Sequence, residues 1–363
     1  GDKAQRLVVV EVESGRLTEV DRSDRNDITD FDWSPDSKWI SYRKTAETRL
    51  AQIWAWSLRS GETRPLTDPM VASYYPAFDP EGRYLYFLSN RDLNLTFSGW
   101  DETFVYTGPT RLYAGTLSAD QPRPFQPRTD EEAAEGESAA GNEDEGETGD
   151  SPVPDVEIDF DGFETRVVAI PGTSGRYGNL TGTKKGPAYT FVPTGVDEAQ
   201  SLKRYLLEER EEETILTGVG SVRISADGEK VLYSASGAWA IAELKPGQEA
   251  GKGQLDLTGM QVAIDPRLEW EQMYDDAWRI TRDWFYDPGM HGVDWEAMRD
   301  RYGQLVPHLA HRWDLDYILG ELGGELNAGH VYVQSGELPG PERVEHGLLG
   351  AELETDSSGR YRF

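Results

Sequence analysis

The strongest constraint on the fold is a short sequence unit that occurs three times in the first two thirds of the chain. Its copies cover residues 31–42, 77–87 and 222–233, and in each a turn of Pro, Asp or Gly joins two apolar, aromatic-rich stretches. A turn of this kind between two β-forming stretches predicts a β-hairpin. Pro35 and Pro80 occupy equivalent positions 45 residues apart, about the length of one four-stranded blade of a β-propeller.

The segments that follow these copies match the outer strands of the same blades. Residues 52–58 and 111–117 are strand-like stretches after the first two copies, and a weaker unit extends from about residue 177 to 218. We therefore predict a mainly β fold in which residues 1–260 form about four blades of a propeller and the outer strands of a fifth. Because one blade cannot bury both faces of its sheet, the blades are expected to stabilise one another.

A strongly acidic segment interrupts the second of these units. Ten Asp and Glu residues and no Lys or Arg lie between Asp130 and Asp150, and a segment of this composition cannot bury enough apolar surface to fold. We predict a disordered surface insertion over about residues 129–152. The whole chain has a formal charge of −30, which argues against nucleic acid and anionic membranes as partners, because both bind through basic patches.

The sequence also excludes sites that depend on cysteine, and it contains neither a predicted membrane-spanning helix nor a predicted signal peptide. There is no cysteine, which excludes disulfides, thiolate metal sites and a cysteine nucleophile. No apolar run reaches the roughly 18 residues of a membrane-spanning helix, and residues 1–20 lack the layout of a signal peptide. The chain has no initiator Met and begins inside a predicted strand at residues 6–12, so we expect the true N-terminus to lie elsewhere.

From residue 265 onward the periodicity changes from that of strands to that of helices. Mostly apolar residues recur at spacings of three and four, which is typical of an amphipathic helix: Trp270, Met273, Tyr274, Ala277, Trp278, Thr281, Trp284 and Phe285. The Asp-Pro-Gly sequence at 287–289 ends this helix. A second helix is expected after Asp294 as N-cap and a third after Asp314 as N-cap. We interpret residues 265–340 as a small helical subdomain.

One of the five histidines stands out by its position. His330 follows the small-residue turn 327–329 and precedes the β-branched stretch 331–333, which we expect to be a short strand. Turns at the ends of rigid elements often present catalytic groups, which makes His330 the candidate catalytic residue. A lone histidine is more often structural, so its position leaves both interpretations open. His308 and His311 are three apart and could share a helix face, but no other ligand supports a metal site.

The order of these pieces resembles the tricorn protease family. The Ser-Pro-Asp repeats lead into Glu157–Arg166, then into Glu269-Trp270 and the Ala277-Trp278-Arg279 helix. The most specific element comes next, at residues 285–295, where the sequence is Phe-Tyr-Asp-Pro-Gly-Met-His-Gly-Val-Asp-Trp. The resemblance covers nearly the whole chain except the acidic insertion.

The resemblance implies a serine peptidase in which two propellers precede a helical domain, a PDZ domain and an α/β domain. Residues 1 to about 260 would be the end of the second propeller, 265–340 the helical catalytic subdomain and 345–363 the start of a truncated PDZ domain. The family's catalytic histidine follows the last helix of this subdomain, the position that His330 occupies. Its nucleophilic Ser and its orienting Glu lie beyond the PDZ domain, which implies that this fragment is inactive alone.

One residue departs from the family pattern. The family has a Ser immediately before its catalytic His, and this chain has Gly329 there. The auxiliary hydroxyl is therefore absent, which puts its supporting role in doubt. The role of His330 as general base does not depend on it, because an imidazole of near-neutral pKa can itself take the proton of a Ser hydroxyl.

The resemblance also implies peptide or unfolded-protein substrates that the propeller filters or channels, and a homo-oligomer. We expect no cofactor or metal and a cytoplasmic location, with an exported or periplasmic location left open because the true N-terminus is missing. Two other classes remain open. A non-catalytic propeller that binds proteins would not need a helical segment with His330. A prolyl-oligopeptidase-like enzyme would carry a Gly-x-Ser-x-Gly motif between βαβ units, and this sequence has none.

Overall fold

The computed structural model describes residues 4–92, 95–106, 108–125, 153–194, 198–336, 347 and 350–362. The chain divides into two compact units, residues 1–259 and 260–363. The predicted acidic insertion at 129–152 lies outside the described residues, and so does part of the expected PDZ start at 345–363.

Antiparallel sheets make up the first unit. Two strands form a separate pair, β1 (Arg6–Val10) and β2 (Leu17–Arg22). A four-stranded sheet follows, with its strands in chain order: β3 (Thr29–Trp33), β4 (Trp39–Thr45), β5 (Ala51–Ser57) and β6 (Thr63–Pro65). The first copy of the repeated unit is thus the β3–β4 hairpin, as its turn predicts.

The next sheet contains an inserted hairpin. Its four strands are β7 (Ser73–Phe78), β8 (Tyr84–Ser89), β11 (Arg111–Thr116) and β12 (Val167–Ala169). Between β8 and β11 the chain forms a separate pair, β9 (Leu95–Ser98) and β10 (Thr103–Tyr106). The outermost strand β12 comes from the chain after the acidic segment, so this sheet is completed by residues distant in sequence.

Two further sheets complete the first unit. The third has four strands, β13 (Gly175–Thr183), β14 (Gly186–Pro193), β15 (Ser201–Leu206) and β16 (Glu211–Thr217). The fourth has three, β17 (Val222–Ile224), β18 (Lys230–Ala235) and β19 (Ala238–Glu243). Within the described part of the first unit, these four sheets and the β1–β2 pair confirm the prediction of about four blades and the outer strands of a fifth.

Side-chain hydrogen bonds explain why the repeated turns contain Ser and Asp. The Ser34 hydroxyl donates to Asp36 Oδ1 at 2.6 Å, and the backbone N–H of Lys38 donates to the same oxygen at 3.1 Å. In the third copy, the N–H of Glu229 donates to Asp227 at 3.0 Å in the same way. These bonds satisfy backbone groups that the two-strand ladder leaves unpaired at the turn.

Neighbouring sheets touch through their first strands. The backbone N–H of Phe78 in β7 donates to Asp32 Oδ2 in β3 at 2.8 Å, and burial raises the pKa of Asp32 to about 6. On the other side of β7, a Cβ added at Gly182 in β13 would overlap the Phe78 carbonyl. Only glycine allows two strands of different sheets to approach this closely.

The chain segment after the acidic run joins the first two four-stranded sheets. The Trp39 indole N–H donates to the Val156 carbonyl at 2.9 Å. Phe163, only 1% exposed, packs against Gly115, where a Cβ would overlap its ring. The buried Arg166 guanidinium donates to the Thr116 carbonyl at 3.1 Å. Residues 157–166, singled out by their family resemblance, thus serve first to pack the sheets.

Three helices form the core of the second unit. They are α1 (Pro266–Trp284), α2 (Trp295–Gly303) and α3 (Arg312–Gly324), and a short strand pair follows, β20 (Glu354–Thr355) with β21 (Tyr361–Arg362). Asp265 and Asp294 are the N-caps of α1 and α2; each side chain accepts a backbone N–H of the first turn. The Asp294 cap confirms the sequence prediction.

The predicted start of the third helix is wrong. The N-cap of α3 is His311, whose Nδ1 accepts the backbone N–H of Trp313 at 3.2 Å. Asp314 lies in the first turn, where its carboxylate accepts the backbone N–H of His311 at 2.9 Å. This reciprocal capping box starts the helix before Asp314. His308 belongs to a separate short 3₁₀ turn, so His308 and His311 do not share a helix face.

Candidate active site in the helical unit

Two tryptophans hold the helices around which the candidate site is built. The Trp278 indole N–H donates to the Trp295 carbonyl at 2.9 Å, and the Trp295 indole N–H donates to the Trp278 carbonyl at 3.1 Å. Both side chains are about 5% exposed. The pair joins α1 to the start of α2 and satisfies both buried indole N–H groups, which would otherwise destabilise the core.

His330 lies in the turn that follows α3. Leu326, 1% exposed, anchors the beginning of this turn in the helical core, and Ala328 packs against the same core. His330 itself is exposed, and its backbone has a left-handed φ of 61°. The turn therefore presents an accessible imidazole directly beside the packed helical core, as loops on a rigid scaffold present functional side chains.

Tyr332 contacts the ring of His330. Its hydroxyl lies 3.2 Å from His330 Nδ1, and the two rings meet edge to face with centroids 6.2 Å apart. With Nδ1–H donating to this hydroxyl, Nε2 carries the lone pair that accepts a proton. Sequence reasoning missed Tyr332, although the strand expected at residues 331–333 could have indicated a side chain two positions after His330 on the same side.

The predicted strand at residues 331–333 is absent from the described structure. These residues are exposed and have no neighbouring strand to accept their backbone hydrogen bonds. Side chains anchor this segment instead. Ser335 donates to Asp316 in α3, which also pairs with Arg312.

Val331 packs directly on the end of α3. A Cβ built at Gly323 would lie 2.8 Å from Val331 Cγ1, whereas one at Gly324 would meet nothing within 4 Å. Gly323 thus lets the residue after His330 approach the helix. Glu325 adds a second anchor, since it accepts hydrogen bonds from the Tyr302 hydroxyl at 2.6 Å and from Arg301 at 3.2 Å. The Tyr302 bond to this carboxylate raises the pKa of Tyr302.

Replacing Gly323 by Ala is expected to lower, by roughly 3- to 10-fold, the kcat of any reaction of the complete protein in which His330 takes part, because displacing Val331 shifts the adjacent His330. The stability of the helix should stay the same or increase, since Ala is favoured over Gly in helices by up to about 1 kcal/mol. Gly324→Ala is the matched control and should leave kcat unchanged. Equal rates for the two variants would show that the Val331 contact does not position the turn.

Gly329 leaves room for a side chain. A Cβ built there meets no atom within 4 Å, and the backbone is outside the left-handed region.

Among the described residues, no Asp or Glu forms an ion pair with His330. In the same part of the chain, no cluster of three His, Asp or Glu residues is arranged to bind a metal ion, and no helix is long and apolar enough to cross a membrane.

Two family models match the chain. Residues 1–245 match the tricorn protease second beta propeller domain, and residues 266–324 match the tricorn protease C1 domain. The second match ends with α3, six residues before His330.

Curated proteins and solved structures show the same likeness. Tricorn protease homolog 1 of Streptomyces coelicolor is 30% identical over 98% of this chain and 34% of its own length. A putative tricorn-like protease C-terminal subunit of Sulfurisphaera tokodaii is 27% identical over 98% of this chain and 40% of its own. The crystal structure of the tricorn protease superimposes with a TM-score of 0.73 and 22% identity, covering 91% of this chain and 32% of that one. The chain thus spans about a third of the length of these proteins.

Proposed function

Because this chain belongs to the tricorn protease family, we propose that it is part of a serine-type peptidase in which His330 is the general base. A Ser hydroxyl becomes an effective nucleophile only when a base takes its proton, and an imidazole does this near neutral pH. The observation that carries the proposal is the position of His330, exposed and directly after the helix where the C1 match ends.

The other members of the active site would come from outside this chain. The chain spans about a third of its curated relatives, and we propose that the nucleophilic Ser and the orienting Glu belong to the remaining part of the complete protein. Residues 1–363 alone would then not hydrolyse peptides. Gly329 would leave the active site without the auxiliary hydroxyl of the family, with His330 still able to act as base.

We further propose that the substrates are peptides or unfolded proteins. The blades would filter or guide them toward the site, residues 1 to about 260 being the end of the second propeller. The segment from 345 would begin a PDZ domain, and the complete protein would assemble as a homo-oligomer in the cytoplasm. The resemblance to the tricorn protease family supports these proposals.

A fluorophosphonate probe tests the reaction class directly. The complete protein should hydrolyse fluorogenic peptides, and a serine-reactive fluorophosphonate should abolish this activity by labelling a Ser outside residues 1–363. A metal chelator is the control and should not change the rate.

Three results would contradict the proposal. Activity that survives the probe but is lost with the chelator would indicate a metallopeptidase. Label on a residue of this chain would place the nucleophile here. Absence of hydrolysis across a broad peptide set would favour a protein-binding propeller.

A further inference from the structure

His291, in the loop between α1 and α2, is hydrogen-bonded to the turn that carries His330. Its Nδ1 lies 2.8 Å from the carbonyl oxygen of Leu326. A carbonyl can only accept, so Nδ1–H is the donor and Nε2 carries the lone pair of the neutral ring. The Tyr286 hydroxyl donates to that Nε2. Both ring nitrogens are thus used, and the tautomer of His291 is determined by its neighbours.

The backbone and ring of His291 are themselves held in place. Its N–H donates to Asp287 Oδ2 at 2.9 Å, and the N–H of Gly289 donates to Asp287 Oδ1 at 2.9 Å. These two backbone donors lower the pKa of the Asp287 carboxyl. The His291 ring meets Phe285 edge to face with centroids 5.0 Å apart. His291 also has a left-handed φ of 55°, a conformation that persists only where neighbouring contacts enforce it.

The Leu326 carbonyl is the point where the turn leaves the helical core. Carbonyls after the last helical turn have no partner within the helix, and the His291 imidazole supplies one here. The next residues include two with left-handed backbones, Asn327 at φ 48° and His330 at φ 61°. A left-handed backbone at a non-Gly residue is strained and persists only where neighbouring contacts enforce it. The hydrogen bond to the Leu326 carbonyl is one contact that holds the turn in this path.

We infer that His291 is a positioning residue: its Nδ1–H holds the Leu326 carbonyl and thereby sets the place and orientation of the His330 imidazole. This inference rests on the proposed role of His330 as general base. Within the described residues, the hydrogen bonds of His291 go to Tyr286, Asp287 and Leu326 and not to His330, so the proposed effect is transmitted through the turn. The 285–295 stretch, noted for its family resemblance, therefore contributes to the geometry of the candidate active site as well as to the packing of α1 and α2.

Two substitutions in the complete protein separate the hydrogen bond from the rest of the side chain. Gly and Asn both accept a left-handed φ, and the Asn side-chain NH₂ occupies nearly the same place as the ring Nδ1–H. His291→Gly should lower kcat for fluorogenic peptides by about 10- to 100-fold, with KM changed less than about threefold, because misplacing a catalytic group by about 1 Å has effects of this size. His291→Asn should keep kcat within about threefold of wild type.

Tyr286→Phe is the matched control for the other ring nitrogen. It removes the donor to Nε2 and keeps the bond from Nδ1–H to Leu326, so kcat should stay within about twofold of the wild-type value. A loss in Tyr286→Phe equal to that in His291→Gly would overturn the inference. So would equal rates for His291→Gly and His291→Asn, or loss of the helical far-ultraviolet signal in His291→Gly, which would make His291 a folding residue.

His330→Ala, assayed in parallel, separates this inference from the proposed function. If His330→Ala retains full activity, the proposed base is wrong and the positioning role falls with it. If His330→Ala is inactive while His291→Gly keeps the wild-type kcat, the base assignment stands and the positioning role of His291 alone is refuted.

Discussion

Replacing His330 by Ala is expected to lower kcat/KM of the complete protein for fluorogenic peptides by at least about 10²-fold, the effect of losing a general base. The side chain is exposed, so its removal leaves no cavity in the core. His330 already has a left-handed φ of 61° and Ala has a Cβ as His does, so the substitution changes the backbone strain little. His330→Asn places a residue that tolerates this backbone well and should lose activity to the same extent, because an amide cannot take a proton.

His308→Ala is the control for this measurement. His308 is an exposed histidine of the same helical unit, so its loss changes the histidine content without touching the turn after α3. Its kcat/KM should equal that of the wild type. Full activity in His330→Asn would assign the base to another residue, whereas equal losses in His308→Ala and His330→Ala would point to a general effect of substitution in this unit.

Replacing Trp278 by Ala is expected to destabilise the helical unit by about 3–5 kcal/mol, as is usual for a buried aromatic residue. The substitution removes a buried Trp side chain at the contact of α1 with α2, together with the hydrogen bond from the Trp278 indole N–H to the Trp295 carbonyl. The second bond of the reciprocal pair ends on the Trp278 backbone carbonyl, which Ala retains. Arg282 and Arg299 flank the Trp278 ring at 4.7 and 4.8 Å, and both would lose that contact. Thermal unfolding followed by helical ellipticity measures the effect.

Two further substitutions in α1 serve as controls for the destabilisation caused by Trp278→Ala. Trp284 is 52% exposed, so Trp284→Ala should cost less than about 1 kcal/mol. Trp278→Phe keeps most of the apolar area but leaves the buried Trp295 carbonyl without its donor, at an expected cost of about 1–3 kcal/mol. If the melting temperature of Trp278→Ala equals that of Trp284→Ala, the reciprocal pair does not hold the helices together.

The candidate site was only partly accessible to sequence reasoning. The turn of small residues after a helix identified His330, and the family resemblance supplied its role, which stays a prediction. Tyr332 was missed, although the spacing of two in an extended segment could have indicated it. Val331 packs against Gly323 and not in a strand, because no second strand lies beside it among the described residues.

Local patterns in the sequence were enough to predict the repeated hairpins and one of the two predicted N-caps, Asp294. The β3–β4 and β17–β18 hairpins follow from turn residues and strand periodicity within about a dozen positions, and the Asp294 cap acts on its own first turn. These interactions join residues that are near one another in sequence, so the local sequence is sufficient to predict them.

The long-range contacts within each of the two units depend on the path of the chain and not on local patterns. His291 meets Leu326 across 35 positions, and Trp278 meets Trp295 across 17. Residues 153–166 return onto the first two four-stranded sheets, where the Trp39–Val156 bond spans 117 positions and the Thr116–Arg166 bond spans 50. No short-range periodicity specifies such pairs, because each depends on how packed elements bring distant backbone and side-chain groups within hydrogen-bonding distance. The fold class could therefore be predicted from the sequence, whereas the contacts around the proposed general base depend on tertiary packing.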